Sequence, residues 1–185
     1  WEKHVLREDC QHLLKTREEF SDVKIIVKDE AIPAHKCLLA ARSSVFAGMF
    51  RHANFKENEE NRVEIEDIEA EVVHAMLEFI YTDEVKNLAD LADGLIAAAH
   101  KYDLPRLKIM CEAALCDSLD TKNAASMLRL ADLYGSQIFL DYVIGFIANC
   151  FRRGQAIKHF EKIRDPDLLL RVTNAMVAED ASTGT

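Results

Sequence analysis

Proline and glycine are scarce in this 185-residue chain, at 3 and 6 residues. No apolar run approaches the roughly 20 residues that a membrane-crossing helix needs. The first shortage excludes collagen-like and Pro/Gly-rich low-complexity chains, and the second excludes a helical membrane span. Cysteine is odd in number and scattered. Cys10, Cys37, Cys111, Cys116 and Cys150 lie mostly inside apolar helical patterns, which fits reduced, buried thiols in a cytoplasmic and/or nuclear protein and not a disulfide framework. No charged-then-apolar leader opens the chain, so it reads as soluble and unprocessed. Starting at Trp1 without a Met, it is expected to be a fragment of something longer.

Signatures of catalysis are missing as well. There is no G-x-S-x-G, H-E-x-x-H or C-x-x-C, and the glycines form no phosphate-cradling G-x-G or Walker pattern. Cys111 and Cys116 are five apart, on different faces of a helix, and the histidines do not pair at i, i+4 with another ligand on a clear metal face. His35 with Ser43 and Ser44 is the nearest approach to a base and its nucleophiles. A helix-start histidine beside capping serines is the plainer reading. The chain therefore reads as a non-enzyme, with no catalytic residue, metal site or cofactor assigned.

What is present is a globular composition, 49% apolar and 30% charged, with a net charge of -9. The charge is uneven: between Lys56 and Glu71, eight carboxylates face only Lys56 and Arg62, leaving -6. Such a surface repels phosphate backbones, so nucleic acid is not expected as a ligand; a basic protein partner and a merely solvated acidic face both remain open. Within the stretch Asn54 to Glu60, "NFKENEE", one aromatic, Phe55, stands among polar neighbours. It packs either on this domain's own core or on a partner.

Hydrophobic period places the elements. Leu6, Cys10, Leu13 and Leu14 fall at i, i+4, i+7 and i+8, one face of a helix over 4–16. Val23, Ile25 and Val27 alternate, Asp29-Glu30 turns the chain, and Ile32-Pro33 restarts it, which predicts a β-hairpin with Pro33 at an edge. Two short helices follow to Phe50, the second capped by Ser43 or Ser44, and Val63 and Ile65 alternate in a short strand. From about residue 69 the pattern is helical: 69–81, 88–102, 104–117, 121–134, 137–151 and 166–178. Pro105 and Pro166 suit first turns, Asp120 or Thr121 caps, and Gly135 closes a helix. Leu128, Leu130, Leu133, Val143, Phe146 and Ile147 read as helix-packing residues. Strands early and helices late exclude an alternating β-α-β architecture and predict an α+β domain, a small sheet against a helical cluster, continued by an all-helical lobe after about Leu119. The tail 179–185 reads as disordered.

Beyond period, the residues carry a resemblance. "FSDVKIIV" and "IPAHKCLLAARSSVFAGMF" (20–27 and 32–50), "NRVEIEDIEAEVVHAMLEFIYTDEV" (61–85) and "LIAAAHKYDLPRLKIMCEAAL" (95–115) resemble a BTB/POZ domain. "NAASMLRLADLYGSQIFLDYVIGFI" (123–147) is similar to the helical extension of the MATH-BTB, speckle-type POZ protein-like, group. The resemblance implies a BTB/POZ domain over 1–118 and a three-box/BACK-like extension over 119–178. One departure stands out: Asp83 occupies a position where the family commonly has Gly, which makes a left-handed turn less comfortable and suggests a different local loop.

The implied function is a homodimeric substrate adaptor of a cullin-3 ubiquitin ligase, with the protein substrate chosen by a domain outside this chain. Carried over, Leu6, Cys10, Leu13 and Leu14 form the dimer interface, with Asp22 and Lys36 matching a charged pair near its seam. The alternative for that helix is that it folds back on its own core. Phe55-Lys56-Glu57 matches the hydrophobic-any-Glu pattern with which family members bind the cullin-3 N-terminal domain, and Met49, Phe50, Tyr102 and Leu104 are candidate neighbours that equally suit the core. The helices after Leu119 enlarge that contact, cap the core, or do both. The competing function is a BTB homodimerisation module of a transcriptional regulator or scaffold that does not bind cullin.

Overall fold

The protein, seen in a computed structural model, is described here over residues 6–51 and 61–178. The chain divides into two compact units, Trp1–Cys111 and Glu112–Thr185.

In the first unit, helix α1 (Leu6–Lys15) leads into strands β1 (Val23–Val27) and β2 (Glu30–Ala34), then α2 (Lys36–Arg42) and α3 (Ser44–Arg51). Strand β3 (Arg62–Glu64) precedes α4 (Ala70–Thr82), α5 (Leu88–Lys101) and α6 (Pro105–Asp117), the last running into the second unit. The sheet order is β2-β1-β3. β1 and β2 form the expected antiparallel hairpin, Ile25 facing Ile32, and Pro33 sits on the edge strand β2, where its missing N–H leaves no ladder bond unmade. Two features were not anticipated. Lys28 takes a positive φ of 53° in the hairpin turn, and β3 pairs with β1 in parallel, Ile25 opposite Val63.

Alternation decides which strand face is covered: Val23, Ile25 and Val27 are buried while Lys24 is exposed. α4 is the central helix, with nine buried residues from Val72 to Thr82. α5 packs against it so closely that a Cβ on Gly94 would come within 2.8 Å of a Val72 methyl. Ser43 joins α2 and α3, its hydroxyl oxygen accepting the Phe46 N–H at 3.2 Å, the cap role expected of it.

The second unit holds the end of α6, α7 (Ala124–Leu133), α8 (Gln137–Arg152), a 3-10 turn (Phe160–Lys162) and α9 (Pro166–Ala178), with α7 against α8 and α8 against α9. Asp120 accepts the Lys122 and Asn123 N–H groups at 2.7 and 2.9 Å, and Asp165 caps α9 behind Pro166. Gly135, at φ 61°, ends α7 in the left-handed region where glycine is strain-free. Leu128, Val143 and Ile147 are buried, and Leu130 and Phe146 half-buried. Leu133 departs from the packing role expected of it: as the last residue of α7, next to the chain reversal, it is 70% exposed.

Candidate interaction surfaces

α1 is amphipathic and contains no buried residue. Its stripe divides in two. Leu14 shares a cleft with His74, Ala75 and Glu78 of α4, on which α1 packs, and Arg7 pairs with Glu84 just past the end of α4. Leu6, Cys10 and Leu13 line an open groove of about 330 Å³ together with Phe20. Leu6 is 76% and Phe20 71% exposed. Phe20 lies beyond the helix end at Lys15, yet its spacing of 14 from Leu6 and 7 from Leu13 continues the period of the stripe, and that was the signal in sequence that could have marked it.

Asp22 and Lys36 come together through the Lys36 backbone. The Asp22 carboxylate accepts the backbone N–H of Lys36 at 2.7 Å, satisfying one free donor at the start of α2. The Lys36 ammonium donates to the Asn61 side-chain oxygen at 2.5 Å and lies 5.5 Å from the centre of the Phe50 ring.

The four candidate neighbours of the 55–57 motif separate by burial. Met49 and Phe50 on α3 are half-buried and present surface. Tyr102 and Leu104 are only 1% and 2% exposed. The Tyr102 ring stacks on Phe46 at 4.6 Å, its carbonyl accepts the Ser43 hydroxyl at 2.5 Å, and burial drives its phenol well above the usual range. Both residues thus serve the domain's own packing. Phe55 and Glu57 lie outside the described residues.

His35 and the two serines are engaged separately. Ser43 is held as above, and the Ser44 hydroxyl bonds the Asp103 carboxylate. His35 is buried: its N–H donates to the Tyr81 hydroxyl oxygen at 3.1 Å, its Nδ1 lies 2.7 Å from the same oxygen, and its Nε2 has no partner among the described residues. The Tyr81 hydroxyl therefore donates most simply to Nδ1, and burial pushes this phenol up to about 12. Among the described residues no group of three His, Cys, Asp or Glu is placed to hold a metal ion, and no helix is long and apolar enough to cross a membrane. The five cysteines are free thiols; contrary to the general expectation of burial, Cys37 is exposed.

The expectation for Asp83 is corrected. It does adopt the left-handed conformation, φ 65°, as the cap of α4, with its N–H bonded to the Phe79 carbonyl at 2.8 Å. Its carboxylate pairs with Arg42 of α2 and Arg106 of α6. Asp tolerates this region better than most residues, and two cations from neighbouring elements hold it there, so the turn survives without glycine.

Comparison with known proteins places these features in context. The family model of the BTB/POZ domain matches residues 11–119. Among solved structures, the BTB domain of human gigaxonin is 25% identical, with a TM-score of 0.50 over 64% of this chain and 93% of that one. The BTB domain of zebrafish PATZ1 is also 25% identical, with a TM-score of 0.48 over 62% of this chain and 97% of that one.

Proposed function

The chain belongs to the BTB/POZ family, a family of protein-interaction modules and not of enzymes, and on that premise we propose that it is the homodimeric adaptor module of a cullin-3 ubiquitin ligase. The observation that carries this reading is the apolar groove of Leu6, Cys10, Leu13 and Phe20, uncovered among the described residues. A single protomer leaves Leu6 and Phe20 exposed and Cys10 and Leu13 half-buried, and a second copy across a two-fold axis covers the same patch on both chains. Dimerisation then doubles the ligase sites offered to one substrate and raises their effective concentration.

The cullin contact is proposed for Phe55 and Glu57, with Met49 and Phe50 as flanking surface and Tyr102 and Leu104 as the packing beneath. Burying one Phe side chain in a pocket on the cullin N-terminal domain supplies about 1.5–3 kcal/mol. Within the family the proposal takes the MATH-BTB group, on the likeness of residues 123–147, with the BTB domain over 1–118, the extension over 119–178, a substrate-choosing domain elsewhere, and a cytoplasmic and/or nuclear site of action.

The test is calorimetric titration of the chain with a cullin-3 N-terminal domain, beside Phe55→Ala and Glu57→Lys. Saturable binding that both substitutions weaken supports the adaptor reading. A folded dimer that does not bind refutes it and leaves a self-association module.

A further inference from the structure

We propose that the second unit carries a binding site for a phosphate monoester dianion, formed by Lys122, Arg129, Lys158 and Lys162. The proposal is independent of cullin binding. Several cations elsewhere meet carboxylates: Lys28 pairs with Glu69, Arg42 and Arg106 with Asp83, Lys101 with Asp67, and Arg171 with Asp141. These four do the opposite. They converge on a cavity of about 200 Å³ whose lining contains no carboxylate, and among the described residues none of them forms an ion pair.

The local fold brings them together. Lys122 lies just before the Asn123 cap of α7, Arg129 is on that helix, Lys158 comes two residues before the 3-10 turn and Lys162 ends it. The Lys158 N–H donates to the Thr121 carbonyl at 2.8 Å, tying one cationic segment to the other through the backbone. His159, also in the lining, holds a positive φ of 62° and has Nδ1 3.7 Å from the Glu161 carboxylate.

Four like charges around one small cleft repel one another, and an anion between them removes that repulsion. Ammonium and guanidinium groups give charge-assisted bonds to phosphate oxygens, and Arg129 offers a fork that matches two of them. The Ser126 hydroxyl already donates to the Asn123 carbonyl at 2.7 Å, so recognition rests on the cations.

Two facts narrow the ligand. A nucleic-acid backbone needs an extended cationic track, whereas this chain is at -9 overall and the patch is compact. The cavity is also smaller than the roughly 300–1,000 Å³ of sites for drug-sized ligands, so it accepts a phosphoryl group and not a large molecule. An adjoining cavity of about 380 Å³ shares Arg129 and Lys162 and adds Arg164, Asp132, Asp165 and Leu168. Its mixed charge and apolar wall give space for whatever carries the phosphate.

The test is calorimetry on the whole chain at fixed ionic strength, with inorganic phosphate, O-phosphoserine, and a phosphoserine peptide beside its unphosphorylated form. Saturable binding is expected, weakened about tenfold in Arg129→Gln/Lys158→Gln for the loss of charge-assisted bonds. It should be unchanged in Arg153→Gln, an exposed cation outside the cavity. Lys122→Gln is the second variant should the double one misfold. A tighter phosphopeptide identifies the carrier as a protein segment, and equal or tighter small phosphates identify a free metabolite; either supports the site. No saturable binding by any probe, or equal binding by the cavity variants, overturns it.

Discussion

Replacing Leu6 and Leu13 by Asp should convert the protein from dimer to monomer. Leu6 is 76% exposed in the protomer and Leu13 half-buried, so most of the first side chain and part of the second remain to be covered. Full burial of a leucine is worth about 1.5–3 kcal/mol. A two-fold axis counts each substitution twice, and halving the value for Leu13 gives a loss of about 4–9 kcal/mol per dimer. At about 1.4 kcal/mol per decade, the dissociation constant rises at least about a thousandfold. Introducing two carboxylates per protomer into an apolar seam adds to this. Light scattering should give twice the 21.0 kDa protomer mass for the wild type and a single protomer for the variant. Because α1 has no buried residue, the variant's circular dichroism should stay native. Its thermal midpoint should lose only the concentration dependence that dimerisation confers. A variant that stays fully dimeric, or a wild type that is monomeric at micromolar concentration, refutes the reasoning.

Other substitutions test the interior. Tyr81→Phe leaves the His35 N–H and Nδ1 without their partner, an expected loss of about 2–4 kcal/mol, or about 4–16 °C in thermal midpoint by calorimetry; an unchanged midpoint would show the pair to be idle. The Tyr81 phenol is raised in the folded state to about 12 from 10.0, so its contribution is complete below pH 10 and disappears as pH rises through 12. Alkaline unfolding of Tyr81→Phe should lack that component. For Asp67 the sign is opposite: the Lys101 hydrogen bond at 2.6 Å holds its carboxyl below the usual 3.8, so stability is present above that value and lost as pH falls through the folded one. In Lys101→Met the Asp67 midpoint, followed by carboxyl-carbon NMR, should move up toward 3.8. Asp83→Ala should be less stable than Asp83→Gly by about 1 kcal/mol, since both lose the Arg42 and Arg106 pairs but only Ala bears the left-handed strain; chemical denaturation ranks them.

Element positions were legible because each obeys a period or a stop signal. Val23, Ile25 and Val27 alternate, Pro105 and Pro166 open helices, and Gly135 closes one, so the described boundaries lie close to those read from sequence. The parallel pairing of β3 with β1 was not legible. Alternation in Val63 and Ile65 marks a strand but is silent on its neighbour and direction. Asp83 shows the same limit from the other side. One residue's backbone preference argued for a changed loop, while the cations that hold the turn come from α2 and the start of α6, far away in the chain. The cationic cavity likewise joins residues before and on α7 to residues after α8, which no local motif signals.

Period reveals that a face is apolar and leaves open what covers it. Tyr102 and Leu104 and the stripe of α1 looked alike in sequence as candidate contact residues, yet the fold separates them: the first two are enclosed by their own domain, and Leu6 with Phe20 is left in water. Enclosure of Tyr102 against Phe46 already satisfies its apolar ring, so a partner gains little free energy there. The α1 groove has the reverse balance. Nothing in its own protomer covers it among the described residues, and the free energy of removing that surface from water is still unspent, available only to association. On the proposed reading the partner belongs where the apolar period and the exposed side chains coincide, which is the outer face of the first helix.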